Sequence, residues 1–191
     1  MTEIKVALFD MDGTICDYVS SMKMELEKLR SLVEPFIDPF SIPDDDPEYQ
    51  YIWDRMDLIK MDENWWANLP QLSLGFDILK MTKELGYYNE ILTQAPKTNP
   101  AALAGKLRWI LGNLDDNTDF TMTRNKSRHY GRVLVDDYPG FALPWLKYRK
   151  NGLVIMPSNE YNKGFQHPQV IIYNGQNIKE VKDALIEAMN R

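Results

Sequence analysis

Three short apolar runs, each ending in a polar or acidic residue, set the tightest limit on how this chain can fold. Val6-Ala7-Leu8-Phe9 runs into Asp10, Glu90-Ile91-Leu92-Thr93 into Gln94-Ala95-Pro96, and Arg132-Val133-Leu134-Val135 into Asp136-Asp137. Continuous apolar runs of this length, followed by turn residues such as Gly13 and Gly140, read as strands buried on both faces of a parallel sheet. In open α/β sheets ligands bind where the strands run out, so the polar residues at these three ends share a functional position.

Helical patterns lie between the strands. Ser73 to Leu85 is closed by Gly86, and Pro100 to Leu111 starts from Asn99 as N-cap with Pro100 at the first helical position. In the latter, Leu103, Leu107, Ile110, Leu111 and Leu114 recur at helical spacing and are expected to pack on the sheet. Leu153 to Met156 and Val170 to Tyr173 read as further strands, and Ile178 to Met189 as a closing helix with Ile178, Val181, Leu185 and Ala188 on one face. The alternation predicts an α/β fold with a doubly wound parallel sheet.

Residues 18–70 break the alternation. A helical stretch from Val19 to Val33 leads through Asp38-Pro39 to Asp44-Asp45-Asp46-Pro47, then to a second helix near Glu48 to Met61 and to Trp65-Trp66. The stretch has no strand signal and is too long for an ordinary βα loop. It is expected to be a small helical cap inserted after the first strand and placed over its end. This gives a core domain of residues 1–17 and 71–191 and a cap of residues 18–70. Asp44-Asp45-Asp46 lacks the spacing of an EF-hand and reads as a solvated loop.

Composition removes several function classes. The 191 residues carry a net charge of −6, so the chain has no basic excess to exchange for the counterions of a long nucleic acid. Its one cysteine, Cys16, cannot close an internal disulfide, and His129 and His167 are too few for a Cys/His zinc site. No secretory signal and no apolar stretch long enough to span a bilayer is read, so a soluble, cytoplasmic protein without membrane contact is expected. No Walker loop, dinucleotide glycine fingerprint or Gly-x-Ser-x-Gly elbow is present.

The first strand runs directly into Asp10-Met11-Asp12-Gly13-Thr14, placing two carboxylates two residues apart at the sheet edge, with Gly13 permitting a tight turn. Alone, this is also the pattern of an Asp-Gly turn. With Ile91-Leu92-Thr93 and Val133-Leu134-Val135-Asp136-Asp137 at later strand ends, it resembles the haloacid dehalogenase (HAD) superfamily of phosphotransferases. The resemblance implies a HAD-like, Rossmannoid core in which Asp10 is the nucleophile and Asp12 the general acid and base. Lys126, in Thr123-Arg124-Asn125-Lys126-Ser127, matches the superfamily's lysine motif. That Thr-Arg-x-Lys stretch, Trp65-Trp66-Ala67-Asn68-Leu69-Pro70 and Lys106-Leu107-Arg108-Trp109 are similar to the 5′(3′)-deoxyribonucleotidase family in particular. The likeness spans residues from about 5 to 140, and Thr14 and Gln94 stand where family members often have Val and Ser.

The chemistry can also be argued from the residues. A carboxylate attacks a phosphate monoester only when the charge between them is neutralised, and Mg²⁺ suits an all-oxygen site. Its expected ligands are the Asp10 carboxylate, the Asp12 backbone carbonyl and the Asp137 carboxylate. Neighbours on a strand point to opposite faces, so Asp136 is read as supporting the site rather than binding the ion. Asp10 would form an aspartyl phosphate, while Asp12 protonates the leaving oxygen and then takes a proton from water. The Thr93 hydroxyl and Gln94 N–H would hold phosphoryl oxygens, with Lys126 balancing charge.

Tyr18, Trp65 and Trp66 offer flat faces for a base and sugar, although a Trp pair at a helix end is also ordinary core. Arg124 reads as a surface or ion-pairing residue, His129 as a loop histidine and Cys16 as a packed small side chain. The expected activity is Mg²⁺-dependent hydrolysis of (deoxy)ribonucleoside 5′-monophosphates to nucleoside and phosphate. The alternatives are a phosphatase for another small ester, such as a sugar phosphate or phosphoglycolate, and a binding protein of the same fold. The expected partner is a small phosphate ester, and a homodimer is compatible with the family resemblance.

Overall fold

The computed structural model describes residues 4–43 and 46–191. Six strands, β1 (Val6–Phe9), β2 (Tyr88–Gln94), β3 (Asp119–Thr123), β4 (Val133–Val135), β5 (Leu153–Pro157) and β6 (Val170–Tyr173), form a parallel sheet in the order β3-β2-β1-β4-β5-β6. The strand first in sequence is thus central in space. The strand order reverses beside it, because β2 and β3 extend the sheet on one side and β4, β5 and β6 on the other. The α-helices among the described residues are α1 (Tyr18–Leu29), α2 (Gln50–Lys60), α3 (Glu63–Ala67), α4 (Ser73–Glu84), α5 (Pro100–Asn113), α6 (Pro139–Lys147) and α7 (Ile178–Asn190).

The strands are apolar on both faces because both faces are covered. Leu8, Leu92, Leu134, Val154 and Met156 pack with Ala142, Trp145 and Leu146 of α6 in one buried cluster. The pleat turns the intervening residues Phe9, Ile91, Val133, Val135 and Ile155 to the opposite face, and these are buried as well. Val181, Leu185 and Ala188 form the buried stripe of α7, and the Tyr87 hydroxyl donates to the Leu185 carbonyl at 2.7 Å. The helix α6 carries an internal proline, Pro144, on its exposed side, where water can satisfy the carbonyl that loses its partner.

By residue contacts the chain divides into two units. The sheet unit comprises the chain up to Cys16, Gln71–Ala95 and Asp115–Arg191; the helical unit comprises Asp17–Pro70 and Pro96–Leu114. In the helical unit, α1 and α2 bury Met22, Ile52 and Met56 among partly buried side chains that include Tyr18 and Trp65. Asp44 and Asp45 of the acidic run lie outside the described residues. Asp46 caps a short helical turn at Pro47–Tyr49 by accepting from the Glu48 N–H at 3.0 Å.

The spacing of Leu103, Leu107, Ile110 and Leu111 pointed α5 at the sheet, but α5 packs on α3 in the helical unit. Its buried residues are Ala102, Gly105, Lys106, Trp109 and Ile110, whereas Leu103 and Leu111 are exposed. The reason is close approach: a Cβ on Gly105 would stand 2.4 Å from Trp66 Cβ and 2.5 Å from the Glu63 carbonyl oxygen. Trp109 Nε1 also donates to the Leu69 carbonyl at 2.7 Å, and Arg108 to Glu63 and Asn64, each at 3.0 Å.

Two glycines test this packing in opposite directions. A Cβ on Gly75 of α4 would fall 1.9 Å from the Thr14 carbonyl oxygen, while one on Gly112 of α5 would meet nothing within 4 Å. Gly75→Ala is expected to lower the unfolding free energy by about 2 kcal/mol through overpacking, and Gly112→Ala to raise it by about 0.5 kcal/mol through helix propensity. Denaturant titration of both variants measures the two effects.

Candidate active site

Register brings the acids together. Phe9 of β1 pairs with Val135 of β4, so Asp10 and Asp136 leave neighbouring strands side by side, and the Asp10 N–H donates to the Val135 carbonyl at 2.8 Å. This is the C-terminal edge of the sheet, at the point where the strand order reverses. Beyond Asp10 the chain closes into a tight loop in which the Met11 carbonyl accepts from the N–H groups of Thr14, Ile15 and Cys16. Gly13 has φ +75°, and a Cβ there would lie 2.6 Å from Asp137 Oδ2. A side chain at this position would meet both backbone strain and the carboxylate.

Lys126 is buried between two carboxylates. Its Nζ lies 2.7 Å from Asp10 Oδ1 and donates to Asp136 Oδ2 at 2.8 Å, with the Phe141 ring centroid 4.3 Å away. Burial pulls the Lys126 pKa down, but the charges of Asp10 and Asp136 and their hydrogen bonds outweigh it and hold the pKa above its ordinary value. The other Asp136 oxygen accepts from the Tyr138 N–H at 3.0 Å. Burial pushes the Asp136 pKa up to about 6, against the opposing charge of Lys126.

Asp137 is fastened from two directions. Thr14 Oγ1 donates to Asp137 Oδ1 and accepts from the Asp137 N–H, both at 3.1 Å. Asn159 Nδ2 donates to Asp137 Oδ2 at 2.9 Å, and Asn162 Nδ2 to the Asp137 carbonyl at 3.1 Å. Asn159 and Asn162 were absent from the sequence reading. Their signal was available, since Ser158-Asn159 is one more polar pair where an apolar strand, β5, runs out. Burial, followed by the charges of Asp136 and Asp10, pushes the Asp137 pKa up to about 8.

Asp10, Asp136 and Asp137 place ligand atoms within 4.8 Å of one another. Against these three carboxylates stands one ammonium, so a buried excess of negative charge remains. A hard cation accepting oxygen donors fits that donor set.

The other residues singled out by sequence fall in different places. Asp12 is partly exposed in the loop after Asp10, with Cys16 Sγ 4.0 Å from its Oδ1. Thr93 is buried near the end of β2, the strand beside β1, and Gln94 follows it in an exposed position. Arg124 is exposed and Cys16 buried.

Tyr18, Trp65 and Trp66 belong to the helical unit and touch one another. Tyr18 stacks on Trp66 with centroids 5.6 Å apart, and Trp65 meets both rings edge-on. Trp66 is 4% exposed and its Nε1 donates to the Lys60 carbonyl, whereas Tyr18 and Trp65 keep partly exposed surface.

No protein-family model matches the sequence, and no curated protein does. Solved structures are similar in fold. A candidate haloacid dehalogenase-like hydrolase from Burkholderia xenovorans LB400 aligns over 98% of this chain and 99% of its own, with 14% identity and a TM-score of 0.57. A haloacid dehalogenase-like family hydrolase from Xanthomonas campestris covers the same shares with 12% identity and a TM-score of 0.53. A candidate phosphoglycolate phosphatase from Lactobacillus delbrueckii aligns over 96% of this chain and 99% of its own, with 11% identity and a TM-score of 0.51. The chain therefore has the HAD-like α/β fold. No described helix is long and apolar enough to cross a membrane.

The raised carboxyl pKa values imply a pH dependence of known sign. Between the ordinary value of 3.8 and about 8, the folded state holds a proton on Asp137 that the unfolded chain releases. Asp136 does the same up to about 6. Stability of the chain in chelator should therefore be greatest in acid within this window and fall as pH rises towards 8. Melting temperatures across that range are expected to decline, and Asp137→Asn to flatten the upper half of the decline.

Proposed function

We propose that this chain is a Mg²⁺-dependent phosphomonoesterase of the HAD type that hydrolyses (deoxy)ribonucleoside 5′-monophosphates. The observation that carries the reading is the buried Asp10/Lys126/Asp136 ion-pair network, with Asp137 held beside it by Thr14 and Asn159. The 5′(3′)-deoxyribonucleotidase likeness in the sequence supports the choice of substrate.

In this reading Asp10 attacks phosphorus. A bond forms from its carboxylate oxygen to phosphorus while the bond to the 5′ oxygen breaks, leaving an aspartyl phosphate. Asp12 gives its proton to the departing oxygen, then takes one from the water that attacks the phosphoryl group, and Asp10 is freed with inorganic phosphate. Thr93, the Gln94 N–H and Lys126 hold the phosphoryl oxygens as charge develops. The Asp10 carboxylate, the Asp12 carbonyl and the Asp137 carboxylate would hold the magnesium ion, which would supply the positive charge that lets one anion approach another. Asp136 keeps Lys126 in position.

Residues 18–70 act as the cap that selects the substrate. Tyr18 and Trp65 present ring surface to base and sugar, and Trp66, stacked on Tyr18, fixes the Tyr18 ring in place. One stacked base contributes about 1 to 3 kcal/mol, enough to separate nucleotides from bare sugar phosphates.

Phosphate release is to be measured from deoxy- and ribonucleoside monophosphates, sugar phosphates and phosphoglycolate, with Mg²⁺ and with chelator. Activity is expected on the nucleotides alone and only with the metal, and Asp10→Asn should lower kcat at least about a thousandfold. Turnover confined to sugar phosphates or phosphoglycolate would overturn the base pocket and leave the roles of Asp10 and Asp12 intact. Asn159→Ala, which frees one Asp137 oxygen, should raise the Mg²⁺ concentration for half-maximal activity about tenfold or more.

A further inference from the structure

A cavity of about 630 Å³ opens among residues that flank the start of β4 and β5, with Asn125 and Ser127, on either side of Lys126, also in its lining. Arg132 immediately precedes β4 and Gly152 precedes β5, while Asp136 follows β4. Three residues of extended chain stand between Arg132 and Asp136, a span of roughly 13 Å, so the arginine end of the cavity lies away from the carboxylates already described. Its volume lies in the range of small-molecule sites.

The charge of this cavity is opposite to that of the chain. Arg128, Arg132 and Arg149 line it and no acidic side chain does, in a protein of net charge −6. Arg149 is set rigidly. Its Nη1 donates to the Ser127 carbonyl at 2.8 Å, its Nη2 to the His129 carbonyl, and its guanidinium carbon lies 4.9 Å from the Trp145 ring centroid. Carbonyl oxygens satisfy these donors without neutralising the charge, and Arg149 Nε is buried with no hydrogen-bond partner. Burial correspondingly lowers the Arg149 pKa.

Arg128 is exposed, and its side chain makes no hydrogen bond or ion pair among the described residues, so its forked donors face solvent at the cavity. Tyr130 and Tyr148, 56% and 69% exposed, add hydroxyl groups to the lining.

We infer that this cavity is a second anion site, which holds a small polyanion of the diphosphate type on Arg128, Arg132 and Arg149. Guanidinium forks match phosphoryl oxygens in geometry and charge, and an entering anion supplies counter-charge to Arg128, whose side chain has no partner among the described residues, and to Arg149, whose partners are neutral carbonyls. The site needs no metal, which separates it from the acid cluster.

Equilibrium dialysis of pyrophosphate against the full chain in chelator tests the inference. Under these conditions the acid cluster repels anions, so saturable binding of one pyrophosphate per chain reports the arginine cavity. Arg128→Ala should weaken that binding about tenfold, the loss of one charged bidentate partner. The Arg128→Ala/Arg132→Ala double variant should abolish it, and Asp10→Asn should leave it unchanged. Circular dichroism checks the fold of each variant, and if the double variant does not fold, exposed Arg128 decides alone. No saturable binding, binding of equal strength in the folded arginine variants, or binding lost in Asp10→Asn would overturn the inference.

Discussion

The site depends on one ammonium group shared by two buried carboxylates. Asp10 and Asp136 leave adjacent strands into a region almost without solvent, where an unpaired carboxylate would cost several kcal/mol. Lys126, reaching in from the short helical turn Lys126–Arg128 with less than a tenth of its surface exposed, is what makes that placement tolerable. It neutralises one charge of three, while burial, followed by the charges of Asp136 and Asp10, raises the Asp137 pKa. The same arithmetic explains why Asp137 has neutral companions: Thr14 and Asn159 orient it without cancelling the charge a cation needs. Replacing either by a lysine would satisfy the electrostatics and remove the reason for a metal to bind.

Much of this was legible in the sequence because the central strands are buried on both faces. β1, β4, β5 and β6 announce themselves as apolar runs, and the acids at the ends of β1 and β4 are visible as departures from them. The edge strand β3 was not legible. Asp119-Phe120-Thr121-Met122-Thr123 pairs only with β2 and is half exposed, so it alternates where the inner strands are continuous. The helix α6 was hidden by Pro139-Gly140 at its start and Pro144 within it, both of which read locally as turn.

Of the residues that hold Asp137, the asparagines were legible only as a polar stretch after β5, not as its partners. Asn159 and Asn162 gain their meaning only from β5 lying beside β4, which register decides and composition does not. The arginine cavity is similar: Arg128, Arg132 and Arg149 are scattered singly along the chain and converge only when α6 returns the chain to the start of β5. The placement of α5 failed on spacing itself. A leucine stripe was visible, but a single glycine, Gly105, let α3 approach a different face.

The central position of β1 has a consequence for how the protein is made. β1 is made before either of its neighbours, and Ala7 finds its partners only in Asn89 on one side and Val133 on the other. Until β2 is made, Val6–Phe9 is therefore an apolar segment with both hydrogen-bonding edges open, and until β4 is made one edge stays open, the kind of segment that chaperones shield and that pairs wrongly when crowded. Pairing of this kind is slow because the contacts are distant in sequence. Asp10 travels with it, so the incomplete chain carries an aspartate that has neither Lys126 nor Asp136 beside it.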